Sequence, residues 1–167
     1  MRRVITGHKD GKSVVIDDAE VTTGIGSFGR LLFPIWKAEA VPPIPLKKTD
    51  FNVDVNPANF KLGEVYTGIT ILPPDEKYIS DAKASGVNAV EEWHKIWSDD
   101  FNMHTTDTVD INIIVSGEIW MELDDSKEVH LKAGDCVIQN GTRHAWNNRS
   151  NEDCIIFSAC IKAQRDS

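Results

Sequence analysis

A single segment in which polar and apolar residues alternate constrains the fold of this chain more than any other feature. The alternation runs over residues 106–115, and a period of two is typical of a β-strand, whose successive side chains point to opposite faces. An ordinary half-buried strand packs its apolar face into the core, whereas a barrel with a polar ligand site encloses the polar face. The even-numbered face carries His104, Thr106, Thr108, Asp110 and Asn112, and the odd-numbered face carries Val109, Ile111, Ile113 and Val115.

The rest of the sequence predicts further strands on both sides of this segment. Residues 2–17 are typical of a β-hairpin, with strands at 3–8 and 13–17 and a turn at Asp10-Gly11. The chain is therefore predicted to be all-β. Later strands are expected at residues 30–39 with a bend at Pro34, 60–72, 118–124, 127–131, 136–139, 144–148 and 154–161.

One stretch departs from the period of two and predicts a short helix near residues 88–98. Asn88 suits the N-cap of such a helix. Helices with one apolar stripe more often pack on their own fold than act as a lid. The stretch nevertheless directly precedes the alternating strand, so its side chains are candidates for the rim of a pocket and for substrate binding. The residues spaced i, i+3, i+4 and i+7 are Val90, Trp93, His94 and Trp97.

The sequence Gly24-Ile25-Gly26-Ser27-Phe28-Gly29 has the glycine spacing of dinucleotide-binding loops. That fingerprint requires a strand before it and a helix after it. Here the residues that follow are strand-like and include Pro34. Residues 24–29 are therefore predicted to be a loop without a role in nucleotide binding.

The composition limits the classes of partner that the chain is expected to bind and the cellular compartment in which it is expected. The chain has 167 residues, a net charge of −8 and a pI near 5.0, and an acidic protein is disfavoured on nucleic acid and on anionic membranes. Membrane-length apolar runs and a signal-peptide pattern are absent from the sequence. The three cysteines lack CxxC spacing, so we expect buried, reduced thiols in a cytoplasmic protein.

The length suits one domain with its own core. Residues 1–60 are predicted to supply N-terminal strands and a connector, and residues 61–162 to form the barrel core.

Residues 98–148 resemble the two conserved motifs of the cupin family, whose members fold as jelly-roll barrels, also called double-stranded β-helices. The first motif places Gly, His-x-His, Glu and Gly at fixed spacing, and its positions are occupied here by Ser98, His104, Thr106, Asp110 and Gly117. The second motif is matched by Gly134, Gly141, His144 and Asn148, with Gln139 at its proline position and one residue fewer between the glycines. Residues 1–97 hold no second copy of either motif, so the resemblance implies a single cupin domain over residues 1–167.

The resemblance also implies a site. Metal-binding cupins use three histidines and a glutamate, which suit Fe, Mn, Ni, Cu or Zn. Thr106 replaces one of these histidines, and Asp110 is a shorter carboxylate. His104, Asp110 and His144 are left as ligands for one divalent metal, Fe, Mn, Ni or Zn. Without a metal, the same three residues could transfer protons, with the carboxylate orienting an imidazole. The alternative for each histidine is a structural role, in which the hydrogen bonds of its ring are satisfied in the core or at the surface.

Trp146 lies two residues after His144 and adds an aromatic side chain to the same strand face. If the imidazole lines the barrel, then Trp146 lines it too, which suits a planar or apolar organic ligand. Thr106, Thr108 and Asn112 would then offer neutral hydrogen bonds to substrate oxygens.

Three functions are compatible with these residues. The first, which we favour, is a non-oxidative lyase or isomerase of small-molecule or secondary metabolism, catalysing decarboxylation, dehydration, isomerisation or cyclisation with His104, Asp110 and His144. The second is a metal-dependent dioxygenase, because two histidines and a carboxylate resemble the facial ligands of non-haem iron. Loss of an imidazole at Thr106 weakens this case. The third is a module that binds a small ligand without chemistry.

A barrel lined by the even-numbered face leaves an apolar row on its outside, at Val109, Ile111, Ile113 and Val115. Such a row needs a cover, and a second copy of the chain is the simplest one. Related cupins often pair through sheet faces of this kind. We therefore expect a homodimer that binds a small-molecule substrate.

Overall fold

The computed structural model describes residues 1–44, 59–89, 91 and 102–165. The predicted helix near residues 88–98 lies largely outside them. The elements in chain order are β1 (Arg2–Lys9), β2 (Lys12–Glu20), β3 (Ile25–Ser27), β4 (Arg30–Ala38), β5 (Val65–Leu72), α1 (Asp75–Ala84), β6 (Thr108–Ser116), β7 (Glu118–Glu122), β8 (Glu128–Lys132), β9 (Cys136–Asn140), β10 (Ala145–Asn147) and β11 (Cys154–Lys162).

Two antiparallel sheets build the barrel. One has six strands in the order β3-β4-β5-β11-β6-β9, and the other has three in the order β10-β7-β8. An antiparallel bridge between His104 and His144 lies outside the named strands. The N-terminal hairpin of β1 and β2 forms a separate two-stranded sheet. The predicted all-β jelly-roll fold, with its N-terminal hairpin, is confirmed.

The polar face of β6 points into the barrel. Thr108, Asp110 and Asn112 are 5%, 8% and 5% exposed, whereas Ile111 and Val115 are 36% and 52% exposed. Because successive side chains of a strand alternate between faces, one orientation of β6 accounts for both sets. The barrel with an enclosed polar face is therefore correct, and the ordinary half-buried strand is not.

The apolar core occupies the other end of the space between the two sheets. Ile114 is the next inward residue of β6 after Asn112, and it is 1% exposed. Burying an aliphatic side chain of this size stabilises the fold by about 2 kcal/mol. The barrel is thus packed with apolar side chains at one end and lined by polar ones at the other. The core partners of Ile114 are Leu72, Ile119, Met121, Leu131, Cys154 and Ile156.

The structure can be compared with the predicted bend in β4 and with the predicted length of β5. The pairing of β4 with β5 shifts register between Pro34 and Trp36, as the predicted bend requires, since proline has no N–H to donate. The predicted strand at 60–72 is too long, because β5 begins at Val65. A turn precedes it, in which the Lys61 N–H donates to Glu64 Oε2 at 2.9 Å.

The glycine-rich segment at 24–29 is a tight hairpin and not a loop throughout. Its central residues form β3, which pairs with β4, and Gly26 adopts a φ of 137°. A dinucleotide fingerprint needs a helix after its glycines, whereas the strand β4 follows them here. The segment therefore does not have the structure of that fingerprint.

Helix α1 has no periodic signal in the sequence. Among its residues only Tyr78 and Ala82 are buried, so the apolar stripe is narrower than the pattern that identifies a helix. Asp75 and Glu76 in the first turn and Lys83 in the last complement the helix dipole. Tyr78 packs edge-on against Phe28, with ring centroids 6.1 Å apart.

Two residues of the motifs maintain loops. Gly117 has a φ of 75°, and a Cβ there would lie 2.6 Å from the carbonyl oxygen of Asp153. Asn148 is 1% exposed, and its Nδ2 donates to the carbonyl oxygens of Leu72 and Glu152, each at 2.8 Å. These side-chain requirements explain why the motif positions hold glycine and asparagine.

The structure bears on two expectations from the composition, which concern the cysteines and membrane-spanning segments. The three cysteines are free, but Cys136 is exposed and only Cys154 is fully buried, so the expectation of buried thiols is wrong for Cys136. No helix in the described part of the chain is long and apolar enough to cross a membrane.

Candidate active site

The polar end of the barrel is a cavity of about 320 Å³. A cavity of this size suits a small organic molecule. Strands β4, β5, β6, β10 and β11 contribute to its wall, together with residues 102–106. Its polar lining includes Arg30, Tyr66, His104, Asp110 and His144, and its apolar lining is Leu32, Leu72, Trp146 and Ile156.

Two histidines that are far apart in the chain stand side by side in this cavity. The backbone N–H of His104 donates to the carbonyl of His144, and the reverse bond also forms, each at 2.9 Å. Their imidazole centroids are 4.3 Å apart, with ring planes inclined by 50°. The bridge therefore fixes both rings on the same side of the cavity.

The tautomer of His144 follows from its hydrogen bond. Its Nδ1 lies 2.9 Å from the carbonyl oxygen of Thr142. A carbonyl oxygen only accepts, so Nδ1 carries the hydrogen of the uncharged ring, and Nε2 carries the lone pair. His104 has the equivalent contact, from Nδ1 to the carbonyl oxygen of Asn102, at 3.2 Å.

Burial keeps both imidazoles uncharged at neutral pH. It lowers the pKa of His104 to about 4, and the neighbouring His144 adds to this effect. Burial also lowers the pKa of His144, although the Thr142 carbonyl and the charge of Asp110 act in the opposite direction. Asp110 is therefore close enough to favour the protonated form of His144.

Asp110 completes the group from β6. Burial raises the pKa of its carboxyl group, while the side chains of Thr108, Cys160 and His144 oppose this effect. Its Oδ1 is buried and has no hydrogen-bond partner among the described residues. The carboxyl group can therefore take a proton or a hydrogen bond from a molecule in the cavity.

This donor set differs from the one that the family resemblance implies for a divalent metal. Among the described residues, no group of three or more His, Cys, Asp or Glu side chains is placed to hold an ion. Thr106 occupies the position of a further histidine, and its hydroxyl accepts a hydrogen bond from Thr108 at 2.8 Å. The predicted ligands His104, Asp110 and His144 share the cavity, but they are not arranged as a metal-ligand group.

Most of the predicted substrate-binding residues that the structure describes line the cavity. Thr106, Asn112 and Trp146 do so, and the Trp146 indole meets the His144 ring edge-on, at 5.8 Å between centroids. Thr108 does not belong to the lining, because its hydroxyl bonds to Thr106 below the surface of the cavity. The predicted rim residues Trp93, His94 and Trp97 lie outside the described residues.

The sequence interpretation missed several lining residues. Ser158 and Cys160 alternate with apolar residues along β11, which is the signal that identified the polar face of β6 and could have been applied here. Tyr66 and Arg30 carry no such signal, because polar and apolar residues do not alternate regularly along β4 and β5. Arg30 reaches the cavity from the first residue of β4.

Arg30 is held by a polar network at the edge of the cavity. Its Nη1 donates to Asn102 Oδ1 at 2.8 Å, and its Nη2 lies 3.3 Å from Asp75 Oδ1. The Asn102 amide in turn donates to the carbonyl oxygen of Trp146 at 2.6 Å. This network joins β4, α1 and β10 around the two histidines.

Fold and site together define an antiparallel jelly-roll protein with a partly polar cavity of about 320 Å³. Residues 97–160 match the sequence model of the cupin domain, which covers both motifs and most of the strands from β6 to β11. The chain therefore contains a segment that is similar to the cupin domain.

Similar proteins include products of fungal biosynthesis clusters. The chain is 43% identical over 49 residues to phomopsin biosynthesis cluster protein C′ of Diaporthe leptostromiformis. These 49 residues make up 29% of this chain and 26% of that protein. The chain is 38% identical over 47 residues to oryzines biosynthesis cluster protein J of Aspergillus oryzae, which is 28% of this chain and 26% of that protein. The chain thus spans about a quarter of the length of the curated relatives it matches.

Solved structures show a distant similarity. A putative ethanolamine utilization protein Q from Salmonella typhimurium is 12% identical, with a TM-score of 0.47 over 98% of both chains. The cupin domain of an XRE family transcriptional regulator from Enterobacter cloacae is 17% identical, with a TM-score of 0.38 over 60% of this chain and 83% of that chain. Neither similarity bears on the chemistry of the cavity.

Proposed function

We propose that this protein is a small-molecule enzyme of secondary metabolism that catalyses a non-oxidative proton transfer of the lyase or isomerase type. Decarboxylation, dehydration, isomerisation and cyclisation all require a proton to be moved at carbon or oxygen. The observation that carries the proposal is the pair of buried imidazoles, with ring centroids 4.3 Å apart, in the wall of one cavity.

His144 is the general base in this proposal. Its Nε2 has the lone pair, since Nδ1 donates to Thr142. A substrate C–H or O–H gives its proton to Nε2, and the resulting imidazolium is stabilised by Asp110, whose charge raises the pKa of His144.

His104 limits the pair to one proton. The two rings are in contact, and the proximity of His144 contributes to the low pKa of His104. A proton taken up by His144 therefore stays on that ring until it returns to the substrate or to water.

The relatives support a role in secondary metabolism. Their names place them in the biosynthesis clusters of phomopsin and of oryzines. The shared stretch is short, so it supports the class of metabolism and not a particular reaction. The cavity volume of about 320 Å³ suits a small organic metabolite.

Hydrogen exchange at carbon tests the proposal without a known substrate. The purified protein is incubated in D₂O with a panel of small ketones, hydroxy acids and β-keto acids, and loss of C–H signals is followed by NMR. We expect catalysed exchange or turnover of at least one compound, and we expect His144→Ala to abolish it. His130→Ala is the matched control, because His130 is exposed on β8, outside the cavity.

Equal activity in the His144→Ala variant, with its fold intact by circular dichroism, would remove the proposal. A cupin that binds a ligand without chemistry is indicated instead if His104 and His144 can both be replaced without changing ligand affinity or any reaction.

A second copy of the chain is our proposed partner, covering the outer face of the large sheet. The outward residues of β6 are 36%, 38% and 52% exposed at Ile111, Ile113 and Val115, and Ile138 of the neighbouring β9 is 60% exposed. Ile111 and Ile138 are directly paired, so the apolar residues form one continuous surface. An apolar sheet surface of this kind is unfavourable in water and is typical of an interface.

A further inference from the structure

Three buried polar atoms of the cavity wall lack a partner. Among the described residues, the buried side-chain atoms without a hydrogen bond are Arg30 Nε, Tyr66 Oη and Asp110 Oδ1, and all three residues line the cavity. Tyr66 is 6% exposed and Asp110 is 8% exposed. Buried polar atoms are unfavourable unless they are paired. The wall is therefore complementary to a ligand with matching polar groups.

Two of these residues belong to one row across the sheet. Cys160 of β11 is directly opposite Tyr66 of β5 on one side and directly opposite Asp110 of β6 on the other. Paired residues in neighbouring strands point to the same face. The side chains of Tyr66 and Asp110 therefore leave the sheet on the same face, towards the cavity.

A glycine leaves room for the tyrosine hydroxyl inside the barrel. A Cβ at Gly68 would lie 2.5 Å from Tyr66 Oη and 3.0 Å from Leu32 Cδ1. Gly68 follows Tyr66 by two residues in β5, so a side chain there would also point inward. The Tyr66 ring therefore leans along the strand over Gly68, with its hydroxyl in the barrel interior.

We propose that Tyr66 and Asp110 form a subsite for the hydroxyl group of a small alcohol or phenol. The ligand hydroxyl accepts a hydrogen bond from Tyr66 Oη, and Asp110 Oδ1 is an acceptor for a hydroxyl hydrogen in the same cavity. The subsite names the substrate class of the proposed function and rests on that function only in sharing its cavity.

The surroundings favour an uncharged group on an apolar skeleton. Burial raises the pKa of Tyr66, of Asp110 and of Cys160, so this part of the wall disfavours negative charge, including that of an anionic ligand group. Trp146 and Ile156 supply apolar contact area in the same cavity. A hydroxylated ring or chain meets both requirements.

Two probe molecules of similar shape test the subsite. 4-Ethylphenol carries the hydroxyl group, and 1-ethyl-4-fluorobenzene has a fluorine in its place. Dissociation constants are measured by ¹H–¹⁵N NMR titration of the whole protein. We expect 4-ethylphenol to bind about tenfold more tightly, as one or two net hydrogen bonds in a buried site imply.

Substitutions at the subsite should remove this preference. In Tyr66→Phe the ratio of the two dissociation constants should fall to within about threefold, because the hydrogen bond from Tyr66 Oη is lost. Gly68→Ala is a second variant, since it displaces the Tyr66 hydroxyl and leaves that residue in place. Tyr78→Phe is the matched control and should keep the wild-type ratio, because Tyr78 packs between α1 and Phe28 outside the cavity.

Equal binding of the two compounds by the wild-type protein would overturn the subsite, as would an unchanged ratio in folded Tyr66→Phe. Failure of both to bind at millimolar concentration would overturn it as well. These outcomes concern binding alone. They are distinct from the exchange test with His144→Ala, in which the catalytic proposal can fail while the preference for the phenol persists.

Discussion

His104 and His144 exchange two backbone hydrogen bonds of 2.9 Å and hold their imidazole centroids 4.3 Å apart. In the sequence they belong to two different motifs, separated by four strands. The bridge makes their backbones part of the barrel wall, so the ring positions are set by the fold and not by flexible loops. An active site built in this way keeps its two rings together in the absence of ligand.

Stability should fall on acidification because His104 is buried uncharged. Its pKa is about 4 in the folded chain against 6.5 for the free side chain, so the unfolded state binds more protons between these values. The stabilising difference is complete above about pH 6.5 and is lost as the pH falls towards 4. The loss attributable to His104 is about 3 kcal/mol, measurable by urea unfolding at several pH values.

A variant isolates this contribution from that of other groups. The raised pKa of Asp110 acts in the opposite direction, because protonating Asp110 is easier in the folded chain. Comparing the wild type with His104→Gln cancels that contribution, and the variant should show the smaller loss of stability on acidification. His130→Gln should keep the wild-type loss, since it leaves His104 in place. Parallel curves for His104→Gln and the wild type would contradict the prediction.

Metal retention should depend on the residue at position 106. The wild-type donors are not arranged as a ligand group, so we expect no stoichiometric Fe, Mn, Ni or Zn after anaerobic reconstitution and desalting, measured by mass spectrometry of the metal content. Thr106→His adds an imidazole to the same wall and should increase retention at least severalfold. Stoichiometric metal in the wild type, lost in His104→Ala, would show that the unsubstituted site binds a metal.

The association state should depend on the outer face of β6. Ile113→Lys places a charge in the centre of the apolar surface, so the proposed dimer should dissociate at micromolar concentration, observed by sedimentation velocity. Ile79→Lys is the matched control, because Ile79 is 45% exposed on α1, away from that sheet. A wild-type monomer, or an Ile113→Lys dimer as strong as the wild type, would contradict the proposed interface.

Two glycines with the same backbone conformation should respond differently to alanine. Gly11 and Gly117 both have a φ of 75°, which costs a non-glycine residue about 1 kcal/mol. At Gly11 a Cβ has nothing within 4 Å, whereas at Gly117 it meets the Asp153 carbonyl oxygen at 2.6 Å. Gly117→Ala should therefore lower the free energy of unfolding by about 3 kcal/mol, and Gly11→Ala by about 1 kcal/mol, in denaturant titrations. Equal losses would show that the close approach is relieved without cost.

The sequence was sufficient for the arrangement of β6 and for the two motif histidines. Alternation identified the two faces of the strand, and the resemblance to the cupin motifs decided which face is enclosed. His144 and Trp146 also line the cavity together, as their shared parity predicted. In each case a local pattern directly reflects a property of strands.

The rest of the site depends on contacts between distant segments. Arg30 is held at the cavity by a hydrogen bond to Asn102, which is 72 residues away in the chain. The Tyr66 hydroxyl occupies space that Gly68 leaves free, and no pattern in the sequence indicates this contact. Helix α1 has too few buried residues to produce a periodic pattern. The metal that the motif implies at His104, Asp110 and His144 stays a prediction, because motif spacing does not determine where side chains converge in three dimensions.

Imidazole NMR tests the central claim most directly. Long-range ¹H–¹⁵N spectra, with signals assigned through single histidine substitutions, report the charge and tautomer of each ring. We predict that His104 and His144 are both uncharged at neutral pH, that His104 takes up its proton only near pH 4, and that His144 carries hydrogen on Nδ1 and a lone pair on Nε2. A charged ring at neutral pH, or hydrogen on Nε2 of uncharged His144, would contradict the account of His144 as a buried general base.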